Sequence, residues 1–307
     1  MVNEYANLHG YKYPPGNTIK ILKKADLVIA NLECCIAENG FPWQKTPKVF
    51  FFRADPIAIE TLKYGNIGYV SLANNHTLDF QEPALLETLE RLDKSNINYA
   101  GAGKNLNEAE RIALINKNNY KIAILSYSDH PYEFKATKHN PGINFIDLAR
   151  DFNKVKIKIK KARKKADLVI FSIHWGPNMQ QYPSQEFIDF AHKIIDLGVD
   201  IYHGHSAHIF QGIQIYKGKL IMYDCGGFVD DYYVGPQEKN DQQLIFFIIL
   251  QNKKIKEIKL YPLLIDNCQV NLAKNKVFNE IYERIKKLSK DFNIEIIKEK
   301  NYLKIKI

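Results

Sequence analysis

Short apolar runs recur along the chain, and each ends in polar, chemistry-bearing side chains. Ala25-Asp-Leu-Val-Ile-Ala-Asn-Leu-Glu33 reads as a buried strand with Asn31 and Glu33 at its carboxyl end. Residues 67–72 form the next such run and open into Ala73-Asn-Asn-His-Thr-Leu-Asp79. Asp167-Leu-Val-Ile-Phe-Ser-Ile-His-Trp-Gly176 leads straight into His174. Val199-Asp-Ile-Tyr-His-Gly-His-Ser-Ala-His-Ile-Phe-Gln-Gly212 then places histidines at 203, 205 and 208.

Between these strands the apolar period lengthens to that of amphipathic helices. Asp55 as N-cap and Pro56 at the first helical position start one that ends near Tyr64-Gly65. A second covers 82–92, with Leu85, Leu86, Leu89 and Leu92 on one face. A third covers 147–165, with Ile146, Phe152, Val155, Ile159 and Ala162 as its apolar positions, and a fourth covers 184–197. Two hairpins are expected, at 111–127 around Asn116 to Asn119 and at 212–223 around Lys217-Gly218. The second delivers the acid-rich loop Asp224-Cys-Gly-Gly-Phe-Val-Asp-Asp231. Residues 1–25 read as irregular, and Gly101-Ala-Gly103 as a turn, since no phosphate-loop or dinucleotide fingerprint surrounds it. Alternating strands follow at 245–250 and 255–260, then a helix at 276–291 and a last pair of short strands.

Strand–helix alternation with inserted hairpins predicts an α/β fold with mixed sheets. No break in composition forces a boundary, so we expect one main domain, 1–262, and a small basic α+β appendage, 263–307. No window approaches eighteen uninterrupted apolar residues, which predicts no transmembrane helix. The polar N-terminus lacks a signal-peptide layout. A cytoplasmic location is the default expectation, with cell-envelope association if the N-terminus is incomplete. Four cysteines without CxxC spacing argue against a disulfide scaffold.

The net charge of +9 is uneven: residues 151–165 and 251–307 carry +7 each, leaving about −5 for the rest. Basic character therefore lies away from the histidine-rich strand ends. It reads as solvated faces, or as attraction for an anionic polymer or surface. Without interleaved aromatics or a binding motif, nucleic acid is not expected as a partner.

The strand ends together hold Glu33, Asn74, Asn75, His76, His174, His205 and His208. Imidazole, amide and carboxylate without thiolate spacing do not make a structural zinc site. The set suits one or two ions of Mn, Fe or Zn in a hydrolytic centre, which would acidify water and clamp phosphoryl oxygens. A metal-dependent phosphoesterase is the first reading and a metal-binding non-enzyme the second. Singly, each strand-end acid or histidine is also an ordinary cap or turn residue.

Taken in order, ADLVIANLE (25–33), SLANNHTLDF (71–80), YAGAGKN (99–105), VIFSIHWG (169–176), GHSAHIFQGI (204–213) and YDCGGFVDDY (223–232) resemble the CapA/PgsA family. Its members are capsule and poly-γ-glutamate synthesis proteins. The resemblance covers about residues 25–262 and places the chain in the metallophosphatase, or calcineurin-like, superfamily. It implies an αββα sandwich with metals at the strand ends. Glu33 then takes the bridging-carboxylate place, and Asn75, His174, His205 and His208 are the other ligands. His76 protonates a leaving group or steadies the transition state, with Asp79 beside it. Asn31, Asn74, Trp175 and Ser206 are expected on the substrate side. Asp230 and Asp231 are substrate contacts, ligands or plain loop acids.

Two departures qualify the match. GHSAH carries Ser206 where the commoner GHHPH form has a second adjacent histidine. The superfamily also opens on a strand ending in a metal-binding aspartate, and the 25 residues before Asp26 show no such strand. The expected partners are an anionic polymer or a phosphorylated small substrate, with other capsule-synthesis subunits beside them. The alternative is a non-catalytic, polymer- or partner-binding subunit on a degenerate scaffold.

Overall fold

The computed structural model describes residues 1–306. It begins with two helices, α1 (Val2–His9) and α2 (Ile19–Leu22), where the sequence predicted irregular backbone. An isolated eight-residue helix is marginal in water, and α1 persists through distant partners. Asn3 Nδ2 donates to the Arg53 carbonyl at 2.9 Å and Asn7 Nδ2 to the Asp55 carboxylate at 2.8 Å.

β1 (Val28–Asn31) follows, then the short parallel pair β2 (Cys35–Ile36) and β3 (Arg53–Ala54), α3 (Ile57–Tyr64), β4 (Ile67–Ser71), α4 (Gln81–Lys94) and β5 (Asn98–Ala100). α3 starts one residue later than predicted and no side chain caps it; the Asp55 carboxylate accepts from Asn7. β1, β4 and β5 form a parallel sheet in that order.

β6 (Ala102–Gly103) and α5 (Leu106–Ala109) lead to the predicted hairpin of β7 (Ala113–Lys117) and β8 (Tyr120–Ser128). Its turn residues Asn118 and Asn119 have φ of 43° and 57°, which Asn tolerates and a two-residue hairpin of this hand requires. Then come β9 (Gly142–Ile143), α6 (Phe152–Arg163), β10 (Leu168–His174), α7 (Gln185–Asp196), β11 (Ile201–His205) and the hairpin β12 (Ile213–Tyr216) with β13 (Lys219–Met222). The second sheet runs β12-β13-β11-β10-β8-β7, with its four central strands parallel and an antiparallel strand at each edge. The chain closes with β14 (Gln242–Gln251), β15 (Lys254–Asp266), β16 (Gln269–Leu272), α8 (Asn275–Leu288), β17 (Ile296–Lys298) and β18 (Leu303–Ile305). These strands form an antiparallel third sheet around β15.

Strand alternation sends each side chain to one of two cores. Leu125, Val169, Phe171, Ile173 and Tyr202 pack with α6 (Val155, Ile159) and α7 (Phe190, Ile194). On the opposite face Ile124, Ile170, Ile201 and Leu220 share a core with Tyr69 and Ala100 of the first sheet, Ile258 and Leu260 of β15, and Ile281 and Ile285 of α8. The first and second sheets therefore bury their facing sides together. Behind the first sheet, Val70 and Tyr99 pack on Leu85, Leu89 and Leu92 of α4. Leu86, predicted on that face, is 36% exposed. No helix among the described residues is long and apolar enough to cross a membrane.

Candidate functional site

On the shared-core face the strands turn polar toward their carboxyl ends. Ile170 gives way to Ser172 and His174 on β10, and Ile201 to His203 and His205 on β11. The parallel register sets Ser172 beside His203 and His174 beside His205. Gly204, between the two β11 histidines, is required by close approach: a Cβ there would lie 1.9 Å from the Tyr223 carbonyl oxygen. Two non-glycine residues beyond β11 hold left-handed backbone, Ser206 (φ 139°) and His208 (φ 60°). Asp224 fastens that loop, accepting from the backbone N–H groups of Ala207 and Gly226 at 2.8 Å each.

Glu33, delivered from the end of β1 on the facing sheet, stands at the centre. Its Oε1 lies 3.9 Å from the Nε2 atoms of His76, His174 and His208 alike. These spacings exceed a hydrogen bond, and Oε1 is buried with no partner, as are His174 Nε2 and Asn75 Oδ1. Glu33 Oε2 accepts from Asn31 at 2.8 Å, and Asn31 in turn accepts from Asn74. Among the described residues no three His, Cys, Asp or Glu side chains are drawn to ready-made metal spacing. Two bonds of roughly 2.0–2.2 Å each can nevertheless bridge a 3.9 Å gap between nitrogen and oxygen.

The His76 ring is held on two sides. It stacks on Phe52 at 4.0 Å, and Nδ1 lies 2.6 Å from Asp79. A carboxylate only accepts, so Nδ1 carries the proton and Nε2 faces Glu33. Asp79 is fully buried and also paired to Lys48 at 3.1 Å, while Lys48 donates to the Asn75 carbonyl at 2.8 Å. His205 reaches Glu33 only through others: its Nδ1 meets His174 Nδ1 and its Nε2 meets Ser172 Oγ, each at 3.0 Å.

Burial dominates the electrostatics. It pushes Glu33 up to about 8, with Asp224 and Asp79 adding to the rise, and pushes Asp224 up to about 7. It brings His203 and His208 down to about 4, and His174 and His205 well below their ordinary range.

The other predicted site residues are engaged in contacts within the protein. Trp175 lies in the core, stacked on Phe187 and donating to the Tyr223 carbonyl at 3.1 Å. Asn74 is fully buried, its amide spent on Asn31, the Leu32 carbonyl, His76 N–H and Thr77. Ser206 donates to the Gly176 carbonyl at 3.1 Å. Asp231 pairs with the N-terminal amine at 3.0 Å, and Asp230 accepts from Tyr232 N–H at 3.2 Å.

Sequence reasoning passed over several neighbours. His130 is paired to Asp129 and lies 5.1 Å from the His174 ring. Tyr232 packs edge-on against His208 at 4.8 Å. Lys48 sits in a loop without periodicity. For His203 and Ser172 the signal was present: each is two residues before a chosen histidine and so shares its face.

A family model described as bacterial capsule synthesis protein PGA_cap matches residues 1–232. A Mycobacterium tuberculosis protein named as a probable polyglutamine synthesis accessory protein is 28% identical over 305 residues, covering 94% of this chain and 79% of its own length. The capsule biosynthesis protein CapA of Bacillus anthracis is 29% identical over 255 residues, 82% of this chain and 61% of that protein. The PGA biosynthesis protein CapA of Bacillus subtilis is 29% identical over 238 residues, 76% of this chain and 60% of that protein.

Proposed function

For this chain, which belongs to the PGA_cap family of bacterial capsule synthesis proteins, we propose a metal-dependent phosphoesterase-like centre acting in synthesis of an anionic capsule polymer such as poly-γ-glutamate. The observation that carries the reading is Glu33 Oε1: buried, unpartnered, and ringed by three imidazole Nε2 atoms at 3.9 Å. A buried carboxylate without a partner is costly, and a cation in its midst removes that cost. Glu33, Asn75, His174 and His208 would hold one or two ions of Mn, Fe or Zn, which suit such a donor set, with His205 behind His174. A bound ion would supply a Lewis acid for phosphoryl oxygen and lower the pKa of water. The two sheets with a common core and helices outside them support a metallophosphatase-like αββα sandwich.

The chain's own residues supply the rest. Burial lowers His76 against the pull of Asp79, so at neutral pH its Nε2 presents a lone pair. Nε2 accepts a proton from the attacking water, whose oxygen bonds to phosphorus. The imidazolium, steadied by Asp79, gives that proton to the leaving oxygen as its bond to phosphorus breaks. Phe52 and Tyr232, 5.8 Å apart, wall this side of the site. The relative named as an accessory protein supports work beside other synthesis subunits.

Elemental analysis of the purified, reconstituted protein tests the reading. Wild type is expected to retain near-stoichiometric Mn, Fe or Zn, and a His174→Ala/His208→Ala variant to lose it. His76→Ala is expected to keep the metal yet lose roughly 10²–10⁴-fold in hydrolysis of p-nitrophenyl phosphate esters. A wild type that takes up no metal would overturn the enzyme reading and leave a binding scaffold.

A further inference from the structure

We propose that Ser172 and His203 are positioning residues. They hold His205 in the tautomer protonated on Nε2, so that its Nδ1 accepts from His174 Nδ1–H and leaves the His174 Nε2 lone pair for the candidate centre. The inference rests on reading that centre as a metal site.

A row of contacts runs through the buried ends of β10 and β11. His203 Nδ1 meets Ser172 Oγ at 3.0 Å, Ser172 Oγ meets His205 Nε2 at 3.0 Å, and His205 Nδ1 meets His174 Nδ1 at 3.0 Å. Each contact needs one proton, and a hydroxyl donates only one. Two proton orders satisfy the whole row with neutral rings and use every proton in it. A third, with Ser172 accepting from both rings, leaves its buried hydroxyl proton without an acceptor. In the first, His203 Nδ1–H donates to Ser172, Ser172 to His205 Nε2, and His205 Nδ1–H to His174. The final N–H is then His174 Nε2, which is buried and has no hydrogen-bond partner. In the other order every bond reverses, and the final N–H falls on His203 Nε2.

Their ends decide between the two orders. His174 is fully buried, whereas His203, though densely packed around, keeps some surface. A buried N–H without an acceptor costs about 1–3 kcal/mol, so the second order prevails. In it Ser172 accepts from His205 Nε2–H and donates to His203 Nδ1. His205 Nδ1 accepts from His174 Nδ1–H, and His174 Nε2 is left with the free lone pair, the form a cation needs. Ligand imidazoles are commonly oriented by a hydrogen bond from their other nitrogen. Here His205 accepts that bond from His174, the Ser172 hydroxyl fixes His205, and His203 supplies the hydroxyl's direction.

The test is long-range ¹H–¹⁵N spectroscopy of histidine-labelled, chelator-treated protein, beside Mn²⁺ titration calorimetry. Wild type is expected to show His205 protonated on Nε2 and bare on Nδ1. Ser172→Ala is expected to mix the two tautomers and weaken Mn²⁺ binding about 10–100-fold, with Ser172→Thr restoring both. His203→Leu leaves the hydroxyl free to donate to His205, which is expected to move the proton to Nδ1. The wild-type spectrum needs no substitution, so a variant that fails to fold does not decide the matter. A wild-type His205 protonated on Nδ1 would overturn the proposal, as would Ser172→Ala with unchanged tautomer and affinity. A wild type that binds no Mn²⁺ yet shows the expected tautomer would overturn the metal reading and leave the positioning roles standing.

Discussion

At the residue scale the centre is a set of groups held away from their ordinary protonation by burial, in opposite directions. Below about pH 6.5 the unfolded chain protonates histidines that His203 and His208, brought down to about 4, leave neutral in the fold. Stability from these groups is therefore lost as pH falls from 6.5 toward 4. Glu33, raised from 4.5 to about 8, acts the other way: between those values the fold keeps a proton that the unfolded chain releases. Its share of stability falls as pH rises, and each group contributes at most about 1.4 kcal/mol per pH unit. Chelator-treated protein should melt at its highest temperature between about pH 6 and 7 and lose stability on the alkaline side. Glu33→Gln should flatten that alkaline fall. An identical slope in wild type and variant above pH 7 would show that Glu33 is not the group responsible. Glu33, Asn75, His76, His174 and His208 were legible as single residues because each follows an apolar strand. Lys48 was not, since it enters through a loop whose course no periodicity describes; His130 was passed over although it too follows an apolar strand, two residues beyond the end of β8.

At the element scale the site depends on how closely β11 and the segment after β13 approach. The Cβ of an alanine at 204 would sit 1.9 Å from the Tyr223 carbonyl oxygen, and backbone cannot yield there without moving His203 and His205. Gly204→Ala should cost roughly 1–3 kcal/mol as an overpacked site and weaken metal retention with it. A calorimetric scan that superimposes on wild type would contradict this. Most strands and helices were readable from their periods, and the Asn-Asn hairpin from its turn chemistry. α1 was missed because its support comes from Arg53 and Asp55, some fifty positions away. The helix faces were right where they touch a sheet, as at Leu85, Leu89 and Leu92, and wrong at Leu86, which only the packed neighbours decide.

At the scale of the whole molecule, one core joins the first and second sheets to α8 and β15. Glu33 comes from one sheet and the β10 and β11 histidines from the other, so the spacing at the centre is set by that core. Ile281 of α8 is fully buried in it. Ile281→Ala should destabilise the protein by about 2–5 kcal/mol and unfold tail and centre in one transition. Two separate melting steps would show instead that the tail is thermally independent of the rest.

The sequence by itself determined the α/β class, the order of strands and helices, the strand ends that deliver Glu33, Asn75 and the histidines, and the resemblance borne out by the family match. These are properties of local period and of short motifs, which the chain carries wherever it folds. Only the tertiary structure decided that three imidazoles share one carboxylate oxygen, that His205 stands behind His174 with Ser172 and His203 at its back, and that Trp175 belongs to the core. Such choices depend on distances between residues brought together from opposite sheets, and local periodicity says nothing about those distances.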